Sequence, residues 1–317
     1  MRRFLWLSIG LAALLATFAC GGGSDNTPAP TGTTPGVTPA LTRLHIVDQN
    51  VLHGLLDEDP AAEPYDRFPE RVQLLASALA EAQPDIIFLQ EVVIPEAGSD
   101  YPKPREVLLQ ALGAEYTAVF GDAAGRPIDT GTLGQLTLTR LPVLSSENHS
   151  LEGVRAVHRV TLETDAGAID VYNAHLEGTK DDPQAAVVEI NKVLQFIDDT
   201  RTGGPVILAG DFNAVPGDPS IKALLDAGFS DALATAGAAT CNAAGDPGCT
   251  NSTMPLGDNA ENHADHRIDY IFVLPGDDVS MDVEDASLFH DEPIDIGDGH
   301  TLRISDHIGV QATLVLE

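Results

Sequence analysis

The run PVILAGDFNAVPGD, residues 205–218, carries an apolar strand, 206–209, up to Gly210 and then places Asp211 and Asn213 two residues apart. Side chains two apart on an extended chain share a face. A carboxylate and an amide so placed suit a metal ion or its water together with a phosphate oxygen. They also suit an Asx turn, in which Asp and Asn bond their own backbone. The run alone does not choose between the two.

The same event recurs. LHIVDQN ends in Asn50, DIIFLQE in Glu91, AIDVYNAHLEG reaches His175, and LRISDH ends in Asp306 and His307. HRIDYIFV reverses the order, with Asp269 opening an apolar strand. In an antiparallel neighbour a strand start lies at the same edge as a strand end. These strands can therefore bring Asn50, Glu91, His175, Asp211, Asn213, Asp269, Asp306 and His307 to one rim. Turn chemistry does not readily explain so many termini carrying only Asp, Glu, Asn and His.

Glu91 is the best metal-ligand candidate, because a lone acid at a buried strand end is costly unless paired or cation-bound. His307 is the best general-base candidate, since imidazole titrates near neutrality and a carboxylate can fix its tautomer. We discount His45, His149, His158, His263, His290 and His300, because lone histidines are more often structural.

The elements that must position these residues alternate apolar runs with helical stretches. ERVQLLASALAEA (70–82) has helical apolar spacing and ends before Pro84. Further helices are expected at 105–112, 183–199 and 219–227. Strands are expected near 115–120, 133–139, 155–163, 168–174, 206–209, 268–273 and 308–316. Residues 121–131 and 230–266 read as loops, where specificity should lie. This pattern indicates an α+β sandwich with helices outside.

The chain has 317 residues, 43% hydrophobic, with a formal charge of −31. That charge disfavours stable non-specific binding to a nucleic-acid backbone, which needs Lys and Arg to displace counterions. It leaves room for a nuclease in which a metal and a few Arg residues supply the positive field. Residues 1–20 read as a lipoprotein signal: Arg2 and Arg3, an apolar stretch, then Ala19-Cys20, with Cys20 the lipidation site. A plain secretory signal cut near Ala19 is the alternative. Residues 21–40 form a flexible Gly/Pro/Thr tether to a domain at 41–317. Cys241 and Cys249 then remain as an even pair around the turn-rich loop NAAGDPG, and a disulfide is expected over a two-thiol metal site.

Asn50 in QNVLHG, LQEV (89–92), NAHLEG (173–178), GDFN (210–213), RIDYIFV (267–273) and SDH (305–307) together resemble the endonuclease/exonuclease/phosphatase superfamily. That superfamily includes deoxyribonuclease-I-like nucleases, neutral sphingomyelinases and inositol-phosphate phosphatases. The resemblance implies a four-layered α/β/β/α sandwich, deoxyribonuclease-I-like, with its site at one rim. It implies Mg²⁺ (or Mn²⁺ or Ca²⁺) at Glu91, with Asn50 and Asp306 close by. It gives His175 to the scissile phosphate, Asp211 and Asn213 to the attacking water or the phosphate, and Asp269 as the carboxylate orienting His307. LGQLTLTRLPV (133–143) departs from the family by placing Gln135 where Asn is usual. Gln135 is a substrate-binding candidate, and Arg155 is another, though an exposed strand Arg is its simpler reading.

Three functions stay open at this point. The first is an envelope-anchored or secreted bacterial hydrolase, a metal-dependent phosphoesterase acting as a monomer, with a small or lipid-derived substrate. The second is an extracellular endo- or exonuclease. The third is a non-catalytic binding protein on the same fold.

Overall fold

The computed structural model describes residues 41–53, 67–98, 102–128, 131–151, 155–177, 183–251 and 264–317. The expected signal, Cys20 and tether lie outside these residues. The chain begins with β1 (Thr42–Asn50), α1 (Phe68–Ala82), β2 (Ile86–Pro95), α2 (Pro104–Leu112), β3 (Thr117–Ile128) and β4 (Gly131–Thr139). It continues with β5 (Val143–Ser150), β6 (Ala156–Thr164), β7 (Gly167–His175), α3 (Pro183–Thr200), β8 (Val206–Asp211) and α4 (Pro219–Asp226). Then come β9 (Ser230–Asp231), α5 (Ala232–Thr235), β10 (Asp269–Leu274), β11 (Met281–Phe289), β12 (Ile294–Gly297), β13 (His300–Leu302) and β14 (Gly309–Leu316).

Two six-stranded sheets result. Sheet one runs β11-β14-β1-β2-β4-β3 and sheet two runs β5-β6-β7-β8-β10-β9. Strand alternation builds the layers. Leu44, Ile46, Ile86 and Phe88 of sheet one share a core with Val171, Ile207, Ala209 and Ile271 of sheet two. The alternate residues Val47, Ile87 and Leu89 pack on Val72, Leu75 and Leu79 of α1 and Leu108 of α2. Tyr172, Leu208 and Phe272 do the same with Ile190 and Val193 of α3 and Leu224 of α4. Both faces of the central strands are therefore buried, which makes a four-layered α/β/β/α sandwich. Each large apolar side chain so buried contributes about 1.5–3 kcal/mol before entropy is charged.

Several expectations change. The stretch 121–131 is mostly strand: β3 runs to Ile128 and pairs with β4 across a register shift between Asp122 and Pro127. The segment 230–266 opens with β9 and α5. LRISDH is strand only up to Leu302 in β13, and residues 303–308 cross the rim irregularly before β14 begins. His307 therefore precedes a strand rather than ending one. β14 is antiparallel to β1, so its start still lies beside the end of β1.

Candidate active site

Sheet register gathers the site. β7 and β8 are parallel and pair His175 with Asp211, while the antiparallel β8–β10 ladder pairs Asp211 with Asp269. Three candidate residues thus stand in one row across sheet two. Gly210 makes the row possible. Its φ is +140°, and a Cβ there would sit 1.9 Å from the Ala174 carbonyl oxygen.

Across the rim, β1 ends at Asn50. Glu91 sits in a bulge of β2, where pairing with β4 shifts register between Leu89 and Val92. Its φ is +58°, in the left-handed region that a glutamate rarely adopts. Bulges beside active sites re-aim side chains, and strain of this kind clusters at functional positions. The Glu91 side chain keeps 18% exposure in an otherwise buried cluster.

Asn50 joins the two sheets. Its Nδ2 donates to Asp211 Oδ2 at 3.0 Å and to Glu91 Oε1 at 3.2 Å, and its Oδ1 accepts from Leu52 N. In this orientation Asn50 clamps carboxylates and does not present its oxygen to an ion. Asp211 Oδ1 accepts from Asn213 N at 2.9 Å, so the Asx turn is real, and it coexists with a carboxylate aimed into the site. Asn213 has φ +47° and donates Nδ2 to the Leu176 carbonyl.

His307 Nδ1 lies 3.0 Å from both oxygens of Asp269. That nitrogen must carry a proton, so in the neutral ring Nε2 is the accepting position. Nε2 is 3.8 Å from Asp211 Oδ2 and 4.0 Å from Asp306 Oδ1. Asp306 is thus near the ring but does not hold it.

Electrostatics separates the two histidines. Burial and then the Arg155 guanidinium push His175 down to about 3, so its ring is neutral. His307 goes the other way: burial opposes its charge, but Asp269 and Asp211 outweigh it and raise the pKa well above the ordinary value. Glu91 is ionised, held at about 2 against its burial. The rings of His175, His53 and His307, in that order, and the Asn50 amide outweigh the burial. Burial and nearby carboxylates raise Asp48 well above the usual range and Asp211 to about 7. Burial likewise raises Asp306.

This crowded carboxylate set fits a divalent cation, whose charge would relieve it. Asp211, Asp269 and His307 have ligand atoms within 4.8 Å of one another. However, Asp269 and His307 already satisfy each other, so Glu91 with Asp306 is the more accessible pair.

Gln135 and Arg155 lie beside the row. Gln135 is buried, donates Nε2 to the Ala156 carbonyl, and has an Oε1 without a hydrogen-bond partner among the described residues. Ala156 pairs with His175 in the β6–β7 ladder. Arg155 contacts the His175 ring, and its Nε donates to Glu177 Oε2 at 2.7 Å. Cys241 and Cys249 form a disulfide, with Cα atoms 4.9 Å apart.

Sequence reading missed three residues. His53 donates its N–H to Glu91 Oε2 at 3.3 Å and holds its ring 3.5 Å from the same oxygen. Its place in QNVLHG, beside Asn50, was the available signal. Arg71 of α1 is buried and donates to the carbonyls of Val51, Leu52 and Ile304, each at 2.9 Å. It ties the segment after Asn50 to the segment before Asp306. A cation on the apolar face of ERVQLLASALAEA was the signal. Thr250, whose Oγ1 accepts the backbone N–H of Asp269 at 3.2 Å, carried no signal.

The fold and this rim define a class of protein, an α/β/β/α sandwich that gathers carboxylates and histidines at one edge of its two sheets. The chain belongs to the endonuclease/exonuclease/phosphatase family, whose model matches residues 49–307. A Drosophila melanogaster protein provisionally named a neutral sphingomyelinase is 28% identical over 277 residues, 79% of this chain and 57% of that protein. Tyrosyl-DNA phosphodiesterase 2 of Xenopus laevis is 27% identical over 147 residues, 45% of this chain and 36% of that protein. The chain thus spans little more than half, or about a third, of these relatives' lengths. Among solved structures, a family member from Bacteroides thetaiotaomicron superposes with TM-score 0.65 at 18% identity, covering 87% of this chain and 98% of that one. A humanized D. rerio TDP2 gives 0.62 at 23% identity, covering 86% and 98%.

Proposed function

We propose that this chain is a divalent-metal-dependent phosphoesterase that hydrolyses a phosphodiester by in-line attack of water. The observation that carries this is the His307–Asp269 pair, with Nε2 facing Asp211 and Asp306 across the rim from Glu91. In its neutral form, which a cation beside the crowding carboxylates would favour, His307 takes the proton of the attacking water at Nε2, while Asp269 holds the tautomer and stabilises the imidazolium. Asp211, fixed by Asn50 and Asn213, orients that water. Neutral His175 donates its ring N–H to a phosphoryl oxygen as charge builds there. Glu91 and Asp306 would hold the ion, which when bound supplies positive charge to the phosphoryl and departing oxygens.

For substrate, we favour a small or lipid-derived phosphodiester. The charge of −31 and the relatedness to a named neutral sphingomyelinase support it. Export and anchoring to a bacterial envelope through Cys20 belong to the same proposal and rest on residues 1–40. An extracellular nuclease is the second reading. It is favoured by the TDP2 structures, one of which is complexed with a single-strand DNA product. The test is hydrolysis of bis(4-nitrophenyl) phosphate with Mg²⁺, then a panel of sphingomyelin, inositol phosphates, DNA and RNA. Turnover of a lipid head group supports the proposal. DNA turnover alone selects the nuclease, and no turnover selects a binding protein. Labelling with a fatty-acid analogue, lost in Cys20→Ala, tests the anchor.

A further inference from the structure

Asp269 and His307 meet at 3.0 Å, yet Asp269 opens β10 of one sheet while His307 lies just before β14 of the other, and the two strands share no hydrogen-bonded ladder. A third segment joins them. Thr250 is fully buried, and its Oγ1 accepts the backbone N–H of Ile268 at 3.1 Å and of Asp269 at 3.2 Å. Its own N–H donates to the His266 carbonyl at 2.7 Å, and its carbonyl accepts the Ile308 N–H at 2.6 Å. One residue thus grips the chain entering β10 at Asp269 and the chain leaving His307 for β14. Asn251 continues the link through bridges to His266 and His307. Cys249, just before Thr250, is fully buried against Ala264 and Ile308 and is tied to Cys241 by the disulfide. The strut is therefore anchored at its base.

We propose that Thr250 is a positioning residue that sets the Asp269–His307 contact. The proposal rests on reading that pair as the catalytic dyad. Its chemistry requires a hydroxyl that accepts two N–H groups. Valine keeps the shape and leaves both donors buried without that acceptor, whereas serine keeps the acceptor.

The test compares Thr250→Val, Thr250→Ser and Thr250→Ala in the full oxidised chain, with kcat and KM on bis(4-nitrophenyl) phosphate. A second readout needs no activity: the low-field proton resonance of the His307 Nδ1–H at fixed pH. Misplacing a reacting group by about 1 Å costs up to about 10²-fold, so Val and Ala should lose about 10- to 100-fold in kcat with KM little changed. Their Nδ1–H resonance should move or broaden, and Ser should match wild type in both. Ala, which leaves room for water at the freed donors, keeps the test valid if Val does not fold. Folded Val or Ala protein with wild-type kcat and an unmoved resonance would overturn the proposal. So would an equal loss in Ser without a change in the resonance. If wild type fails to turn over the substrate but the resonance moves in Val and not in Ser, the strut stands and the functional reading falls.

Discussion

Asn50 donates to Asp211 Oδ2 at 3.0 Å and thereby pins the end of β1 in one sheet to the end of β8 in the other. The same amide nitrogen holds Glu91, so one side chain spaces the candidate metal carboxylate from the carboxylate that orients water. Asn50→Ala should cost about 1–3 kcal/mol in stability, the price of stranding buried partners. It should also lower kcat by about 10²-fold through misplacement. Asn50→Asp should be worse in both, because it adds a like charge between two carboxylates. Thermal melts and steady-state kinetics check this; an Asp variant more active than Ala would contradict it.

Glu91→Gln keeps the shape of the bulge and removes the charge. Hard cations prefer carboxylate oxygen, so the Mg²⁺ concentration for half-maximal activity should rise by an order of magnitude or more, while the melting temperature moves little. Mg²⁺ titration of activity is the measurement. An unchanged midpoint would remove Glu91 from the metal site.

His158 on β6 offers a pH prediction away from the site. It is 2% exposed, its Nδ1 has no hydrogen-bond partner among the described residues, and burial pushes its pKa down to about 4. Between pH 6.5 and 4 the unfolded chain therefore binds a proton that the folded chain refuses. Stability is lost as pH falls through that window, by about 3 kcal/mol in total. In His158→Leu that loss is absent, so the unfolding free energy of the variant relative to wild type should rise by about that much from pH 7 to pH 4. Denaturant melts at several pH values check it; a constant difference would contradict it.

The strand ends carrying Asn50, His175 and Asp211 were legible because an apolar run stops where a polar residue must face the rim. Asp269 was legible for the mirror-image reason. The helix that ends at Ala82 was legible from apolar spacing, and the whole constellation from its resemblance to one family. Other features were not legible. β5, VLSSENHS, is an edge strand with mostly exposed side chains, so it lacks the apolar alternation that marks a strand. The left-handed Glu91 needs a bulge set by pairing with β4, which sequence periodicity does not encode. Arg71 and Thr250 act on backbone groups distant in sequence, and no local pattern marks such a partner.

The central claim is that His307 and Asp269 work as one base, and a double-mutant cycle tests it most directly. kcat/KM is measured on one phosphodiester for Asp269→Asn, His307→Ala and the double variant. Each single change should cost on the order of 10²-fold or more, comparable to losing a general base. Because residues acting as a unit are non-additive, the double variant should fall little below the worse single one. If the two losses multiply instead, Asp269 and His307 act independently, and the assignment of His307 as an Asp269-held base is wrong.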